Sequence, residues 1–376
     1  MKAETIFRCD YKSRTEIAGI TIDSSEVLKI KMPLNLVFAI SLGKQEFYGG
    51  VIVKLNSGDE TGYGEAETIA EITGETPEVL FDVAKGILLM IQGRKIESVE
   101  DFSELINHYC YGNTAAKSAV DMAFHDLLGK LLRVHVVKIT GGSLKSRVTS
   151  LTIPIGKKQD SLNLLEKYQD SGASIIKVKV GEDVTSDTER IKYIAENLRD
   201  GVRFFVDANQ GYSLRSAIKI ADILQKYEAL FFEQPINRSD LNGSRELRRK
   251  SNVPVMLDES ISTPIDVINA IRMNATDMIN VKLSKSGGIH QALKVLTVAQ
   301  AAGIDAMVGC MLESKLGIAA SLAVANSASN VKFTDLDGFT YLSEQPFTGG
   351  LNLNKGMDVP IDGVGFSTKP NNELKL

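Results

Sequence analysis

A chain of 376 residues with a net charge of −4, its acids and bases interspersed, lacks the basic footprint of a nucleic-acid binder. Its longest uninterrupted apolar stretch, at about residues 87–91, is far short of a membrane span, and residues 1–9 lack the apolar core of a signal peptide. Cys9, Cys110 and Cys310 make neither a metal spacing nor an even disulfide framework, so a reducing cytoplasm is the expected setting, and the length suits two domains or one barrel with an addition.

Residues 1–25 are weakly patterned and read as an extension or an early strand. Alternating stretches at 26–32 and 51–55, with a Ser57-Gly58-Asp59 turn before Gly62-Tyr63-Gly64-Glu65, predict an antiparallel meander. Two loops stand out, at 41–47 and 67–75. Helical spacing follows at 77–92, 101–110 and 113–133, the first opened by Thr76-Pro77. Strands followed by helices imply an α+β module over 1–145, bounded near Gly141-Gly142-Ser143. From Val148 the rhythm is strand then helix. Eight apolar runs fall at 151–155, 175–180, 204–207, 230–233, 255–258, 278–283, 306–311 and 331–335. Eight parallel strands with crossover helices close into a barrel over 146–345. No Gly-x-Gly-x-x-Gly follows the first run to favour an open doubly wound sheet. A turn-rich tail occupies 346–376.

Polar residues gather at the C-terminal ends of the runs, where a barrel places its active site. Asp207, Glu233 and Asp258 end three consecutive runs about one strand-helix unit apart, the oxygen donors a hard cation such as Mg²⁺ takes. Asp258 and Glu259 point opposite ways, and spacing alone leaves open which is inward. Lys177, Lys179 and Asn209 lie on the second and third runs, Lys282 on the sixth, Asp335 and Asp337 on the eighth. The second and sixth strands of eight are diametrically opposed, so Lys179 and Lys282 would face each other across the acids. That suits a two-base proton transfer at carbon, the anionic intermediate being stabilised by a metal. Such a base must be neutral near pH 7, which burial and adjacent cations favour. An edge strand with a wet face is the plain alternative for Lys177 and Lys179. Solvation of a strand end is the plain alternative for Asp335 and Asp337. Lys285, just past its strand, reads as a solvated lysine, and His108 and His125 as structural. Gly287-Gly288 before His290 opens either an anion-binding helix start or a simple turn. Cys310 has no histidine near in sequence to make it a nucleophile.

With those residues in place, the chain resembles the enolase superfamily in its muconate-lactonizing-enzyme subgroup. The matching stretches are Lys177-Val-Lys179-Val-Gly, Asp207-Ala-Asn209-Gln-Gly, Glu233-Gln-Pro, Asp258-Glu-Ser and Asn280-Val-Lys282-Leu-Ser-Lys-Ser-Gly-Gly. The resemblance implies an α/β fold, a (β/α)8-type (modified TIM) barrel with an α+β capping domain to which the tail returns. It implies Mg²⁺, with Mn²⁺ as a substitute, on Asp207, Glu233 and Asp258 rather than Glu259. Lys179 and Lys282 would be the acid/base pair, supported by Lys177 and Asn209. Within the subgroup the chain looks most like dipeptide epimerases, through Asp335-Leu-Asp337, Ile72-Thr-Gly-Glu-Thr and Met307-Val-Gly-Cys-Met-Leu-Glu313. Asp335 and Asp337 would then hold the α-ammonium of an L,L-dipeptide, whose C-terminal residue is inverted to give the L,D form through an enediolate. Thr152, Met311, Glu313, Gly43 and Thr73 would complete the substrate site. Some dipeptide epimerases carry an arginine in the first capping loop; Phe38-Ala-Ile-Ser-Leu-Gly43-Lys44 places Gly43 there, which implies neutral or apolar dipeptides. The partners implied are a small carboxylate substrate and further copies of the chain. A muconate cycloisomerase, an o-succinylbenzoate synthase or an N-acylamino acid racemase is the alternative on the same scaffold, and a non-catalytic binding protein on the same barrel the third.

Overall fold

The computed structural model describes residues 2–10, 19–67 and 69–371. Residues 11–18 of the expected extension, and residue 68 of the second expected loop, lie outside them. The early part of that extension is a strand: Lys2–Asp10 runs antiparallel to Ser24–Ile40. Ser24–Ile40, Gly43–Ser57 and Glu60–Glu67 continue the meander as expected. The first expected loop is shorter than predicted. Strand pairing runs on to Ile40↔Gly43, so only Ser41 and Leu42 form the turn. Alternation simply persists through residues 43–47, and the meander becomes a long hairpin whose tip reaches the barrel. There Ser41 Oγ donates to the carbonyls of Ala208 (2.8 Å) and Asn209 (2.9 Å).

The helices Pro77–Ile91, Val99–Tyr109 and Thr114–Leu131 pack on this sheet. Thr114–Leu131 is buried on nearly every face, wedged between cap and barrel, and not along one stripe only. Close approach explains Gly62 and Gly64. A Cβ at Gly64 would stand 2.0 Å from the Ala119 carbonyl oxygen, and one at Gly62 2.2 Å from that of Ala123. Even positions of this strand therefore lie flat on helix backbone. The alternate positions, Tyr63, Glu65 and Glu67, point the other way.

The eight strands of the second unit are Leu151–Ile153, Ile175–Lys179, Arg203–Asp207, Phe232–Glu233, Val255–Leu257, Met278–Val281, Asp305–Gly309 and Val331–Asp335. They lie in sequence order with every pairing parallel. Closure is partial: Thr149 bridges Thr334, and Ser150 N–H donates to the Thr334 carbonyl at 2.9 Å. Amphipathic helices cover the outside. Leu214–Lys226, for example, starts at Ser213, whose hydroxyl accepts from Ser216 N–H. It buries Ala217, Ile220, Ala221 and Leu224 at helical spacing. Inside, Phe205, Phe231, Met256, Met278 and Met307 form a plug, so the barrel is a packed core open only at one end. In the tail, Met357–Pro360 pairs with Arg147–Val148, and Phe366 N–H donates to Asp126 of the long capping helix. Among the described residues no helix is long and apolar enough to cross a membrane.

Candidate active site

Parallel register sets the site. Lys179 is level with Asp207, and Asp207 with Glu233. Asp207, Glu233 and Asp258 are fully buried, and each offers an oxygen within 4.8 Å of the others. Two left-handed residues, Asn209 (φ 39°) and Gln234 (φ 33°), turn the chain just past Asp207 and Glu233. Asn209 N–H donates to Asp207 Oδ1 at 2.9 Å, and the Gln234 side chain accepts from Asp258 N–H at 2.9 Å. Glu259, the alternative to Asp258, turns away and accepts from Asn209 Nδ2 at 3.2 Å.

Four buried lysines surround these acids. Lys177 Nζ lies 3.0 Å from Asp207, 3.0 Å from Glu233 and 2.7 Å from Asp335. Lys179 Nζ donates to Asp207 (2.7 Å) and to Asn209 Oδ1 (2.8 Å), and Lys282 Nζ lies 2.8 Å from Asp258. The fourth is Lys285, which is 3% exposed and bonded to the Asp258 carboxylate and backbone carbonyl and to the Asn280 carbonyl. Its expected solvation is overturned. The strand ends at Val281, and the helical turn Leu283–Ser286 carries Lys285 back beneath Asp258. Asn280, two residues before Lys282 and on its face, donates to Glu233 Oε1 at 2.7 Å, a role that spacing does not give.

Electrostatics follow from this packing. Burial works against ionisation of Asp207, yet Lys177 and Lys179 hold it down at about 2. Burial likewise opposes Asp258, but Lys282 and Lys285 keep it well below the usual carboxylate range. Glu233 goes the other way, pushed by burial and by Asp207 up to about 8. Burial disfavours charge on Lys177 and Lys282, but the acids prevail and raise both above the ordinary lysine value. At Lys177 and Lys282 the protein groups by themselves therefore do not produce the lowering expected from burial and neighbouring cations. A divalent cation fits the acid trio. Among the described residues Glu233 Oε2 and Asp258 Oδ2 are buried and accept no aligned hydrogen bond, although an ammonium stands near each, and all the donors are hard oxygens.

Above the acids lies a pocket. Lys179, Lys282, Asp335, Asp337, Thr152, Asn209 and Met311 all line it, together with Phe38, Ile40, Ile69, Ile72 and Tyr341. Asp335 accepts from Ser150 Oγ at 2.7 Å as well as from Lys177. Asp337 accepts from Thr152 N–H at 2.7 Å, and burial with Asp335 alongside pushes its carboxyl up to about 7. Gly43, Thr73 and Glu313 fall elsewhere. Gly43 lines a neighbouring hollow of about 280 Å³ with Lys44 and Glu71. Ile69 and Ile72 face the pocket in place of Thr73, and Glu313 turns toward the capping strand. Cys310 lines the pocket, but burial raises its thiol well above the usual value, which fits no nucleophile role. The start of the helix Ile289–Ala301 is occupied by Asp121, which accepts from Ile289 N–H at 2.6 Å, and His125 is tied to Asp121 in the long capping helix.

Residues 160–374 match the family model "Enolase C-terminal domain-like", and residues 21–141 match "Mandelate racemase / muconate lactonizing enzyme, N-terminal domain". The chain belongs to this family of the enolase superfamily and is an isomerase of its epimerase and racemase class. It is 31% identical to a hydrophobic dipeptide epimerase of Enterococcus faecalis over 86% of this chain and 92% of that one. It is 30% identical to an L-Ala-D/L-Glu epimerase of Francisella tularensis over 91% and 99%. A dipeptide epimerase from Cytophaga hutchinsonii, complexed with Mg and D-Ala-L-Val, superposes with a TM-score of 0.91 at 30% identity, covering 95% of this chain and 97% of that one.

Proposed function

We propose that the protein is a Mg²⁺-dependent dipeptide epimerase. It would take the α-proton from the C-terminal residue of an L,L-dipeptide on one face and return one on the other, giving the L,D form. The observation that carries this reading is one pocket holding two lysines on opposite flanks of an acid trio and a buried Asp335/Asp337 pair. The pair supplies the negative charge that a free α-ammonium requires. Lys179 and Lys282 stand where each can exchange a proton with a carbon between them. Asp207, Glu233 and Asp258 would hold Mg²⁺, which supplies Lewis-acid stabilisation to the substrate carboxylate and takes up the acid charge that otherwise favours the protonated form of Lys282. Lys177 positions Asp207, Glu233 and Asp335 together, and Asn209 orients Lys179. Relatives named as dipeptide epimerases support the substrate class.

The pocket wall supports neutral or apolar dipeptides. Phe38, Ile40, Ile69, Ile72, Met311 and Leu312 line it, and among the described residues no arginine does. Lys44 stands only in the adjoining hollow, where Glu71 is also present. Asp335→Ala tests the reading against a cycloisomerase. Epimerisation of dipeptides should be lost in that variant, whereas a substrate without an ammonium would still turn over.

A further inference from the structure

A second buried acid cluster lies between cap and barrel, outside the metal-type trio. Glu65, Glu67 and Glu313 are 2%, 1% and 4% exposed. Glu65 and Glu67 project from one face of the capping strand, at the spacing that meets every second amide of the chain opposite. Glu67 Oε2 accepts from Leu312 N–H at 2.8 Å. Glu65 Oε1 accepts from Ser314 N–H at 2.6 Å, and its other oxygen accepts the Ser314 hydroxyl. Glu313 closes the set by accepting from Met311 N–H at 3.3 Å. The amides of residues 311, 312 and 314 are thus held by carboxylates.

This segment follows the seventh barrel strand and carries Cys310, Met311 and Leu312 into the pocket beside Lys179 and Lys282. The arrangement is costly. Glu65 and Glu313 converge on the same space, since a Cβ on Gly317 would lie 2.6 Å from one and 2.9 Å from the other. Among the described residues the buried hydroxyl of Tyr48 has no hydrogen-bond partner. A carbonyl would satisfy the same amides without crowding acids in a dry interface. What the carboxylates provide is reach: from a strand of the cap they fix a wall of the pocket that belongs to the barrel.

We propose that Glu65 and Glu67 are positioning residues for the reaction. By holding the 310–314 segment they set the apolar wall at Met311 and Leu312, so the cap governs substrate fit through a barrel loop that it does not itself contain. The substrate part of this inference rests on the dipeptide reading; the clamp itself does not.

The test compares Glu67→Ala with Glu67→Gln, whose amide oxygen still accepts from Leu312 N–H. Hydrogen exchange of peptides spanning 310–314, read by mass spectrometry without substrate, should quicken about ten-fold or more in Glu67→Ala and stay at the wild-type rate in Glu67→Gln. With the dipeptide that wild type prefers, KM should rise about ten-fold in Glu67→Ala while kcat stays within about two-fold, with Glu67→Gln restoring KM. Unchanged exchange in Glu67→Ala overturns the clamp. Quickened exchange with KM unmoved, or a Glu67→Gln variant as impaired as Glu67→Ala, overturns the positioning role. Should Glu67→Ala not fold, wild-type exchange and KM in Glu67→Gln support the proposal, and loss of either overturns it. If wild type acts on no dipeptide, the exchange arm still decides the clamp, so the two readings fail separately.

Discussion

Lys285→Met isolates the lysine beneath Asp258. The substitution keeps an unbranched side chain out to Cε and removes the ammonium, along with the bonds to the Asp258 carboxylate and to two backbone carbonyls. Breaking a buried ion pair costs about 3–5 kcal/mol. Asp258 retains Lys282 at 2.8 Å on its other oxygen, which places the loss near the low end, about 3 kcal/mol. An unfolding entropy of about 2.1 cal/mol/K per residue, over 376 residues, gives roughly 0.8 kcal/mol/K and a fall in Tm of about 4 °C. The assay is calorimetry or circular dichroism, since the chain has no Trp. It should be run with a chelator and again with Mg²⁺. A divalent ion on the trio supplies the charge that Asp258 has lost, so Mg²⁺ should raise the Tm of the variant by more than that of wild type. An unchanged Tm in chelator would refute the buried ion pair. An equal drop under both conditions would refute the idea that Lys285 and the ion share Asp258.

The stability of the protein in chelator should fall as pH rises from about 5 to about 8. Burial raises Glu65 to about 7 and Glu313 to about 8, so these groups bind protons more tightly folded than unfolded, and their contribution is lost as they ionise. The double variant Glu65→Gln/Glu313→Gln should flatten that slope in a plot of Tm against pH. In acid the sign reverses: Asp207 is held at about 2, so its contribution is present at neutral pH and is lost below about pH 4. Lys179→Ala and Lys282→Ala should each lower epimerisation about 10²–10⁴-fold with an unchanged circular dichroism spectrum. Normal turnover in either would remove that lysine from the acid/base pair. Asp337→Asn should raise KM for dipeptides more than it lowers kcat, and an unaffected KM would remove Asp337 from amine recognition.

Much of this site was legible because a parallel barrel converts strand order directly into position. An acid or lysine at the end of an apolar run has one place to go, so Asp207, Glu233, Lys179 and Lys282 could be located from the runs alone. The family resemblance decided between Asp258 and Glu259, where alternation left the choice open. Legibility failed where a short turn reverses the chain. Lys285 sits past its strand, and only the turn Leu283–Ser286 brings it under Asp258. It failed again across the domain boundary. Nothing in the spacing of Gly64-Glu65-Ala66-Glu67 says that its acids meet amides more than 240 residues away. The turn at the hairpin tip is shorter than the loop expected at 41–47 because turn residues there are weak signals, whereas pairing across Ile40 and Gly43 depends on a partner strand.

The most direct test of the central claim is proton NMR in D₂O with Mg²⁺ and a small library of L,L-dipeptides. The proposal predicts that the α-proton signal of the second residue disappears while the L,D diastereomer grows in, and that apolar or neutral pairs lead the ranking. Mg²⁺ binding with no α-proton exchange in any dipeptide would contradict it, and would turn attention to N-acyl amino acids and the cycloisomerase substrates.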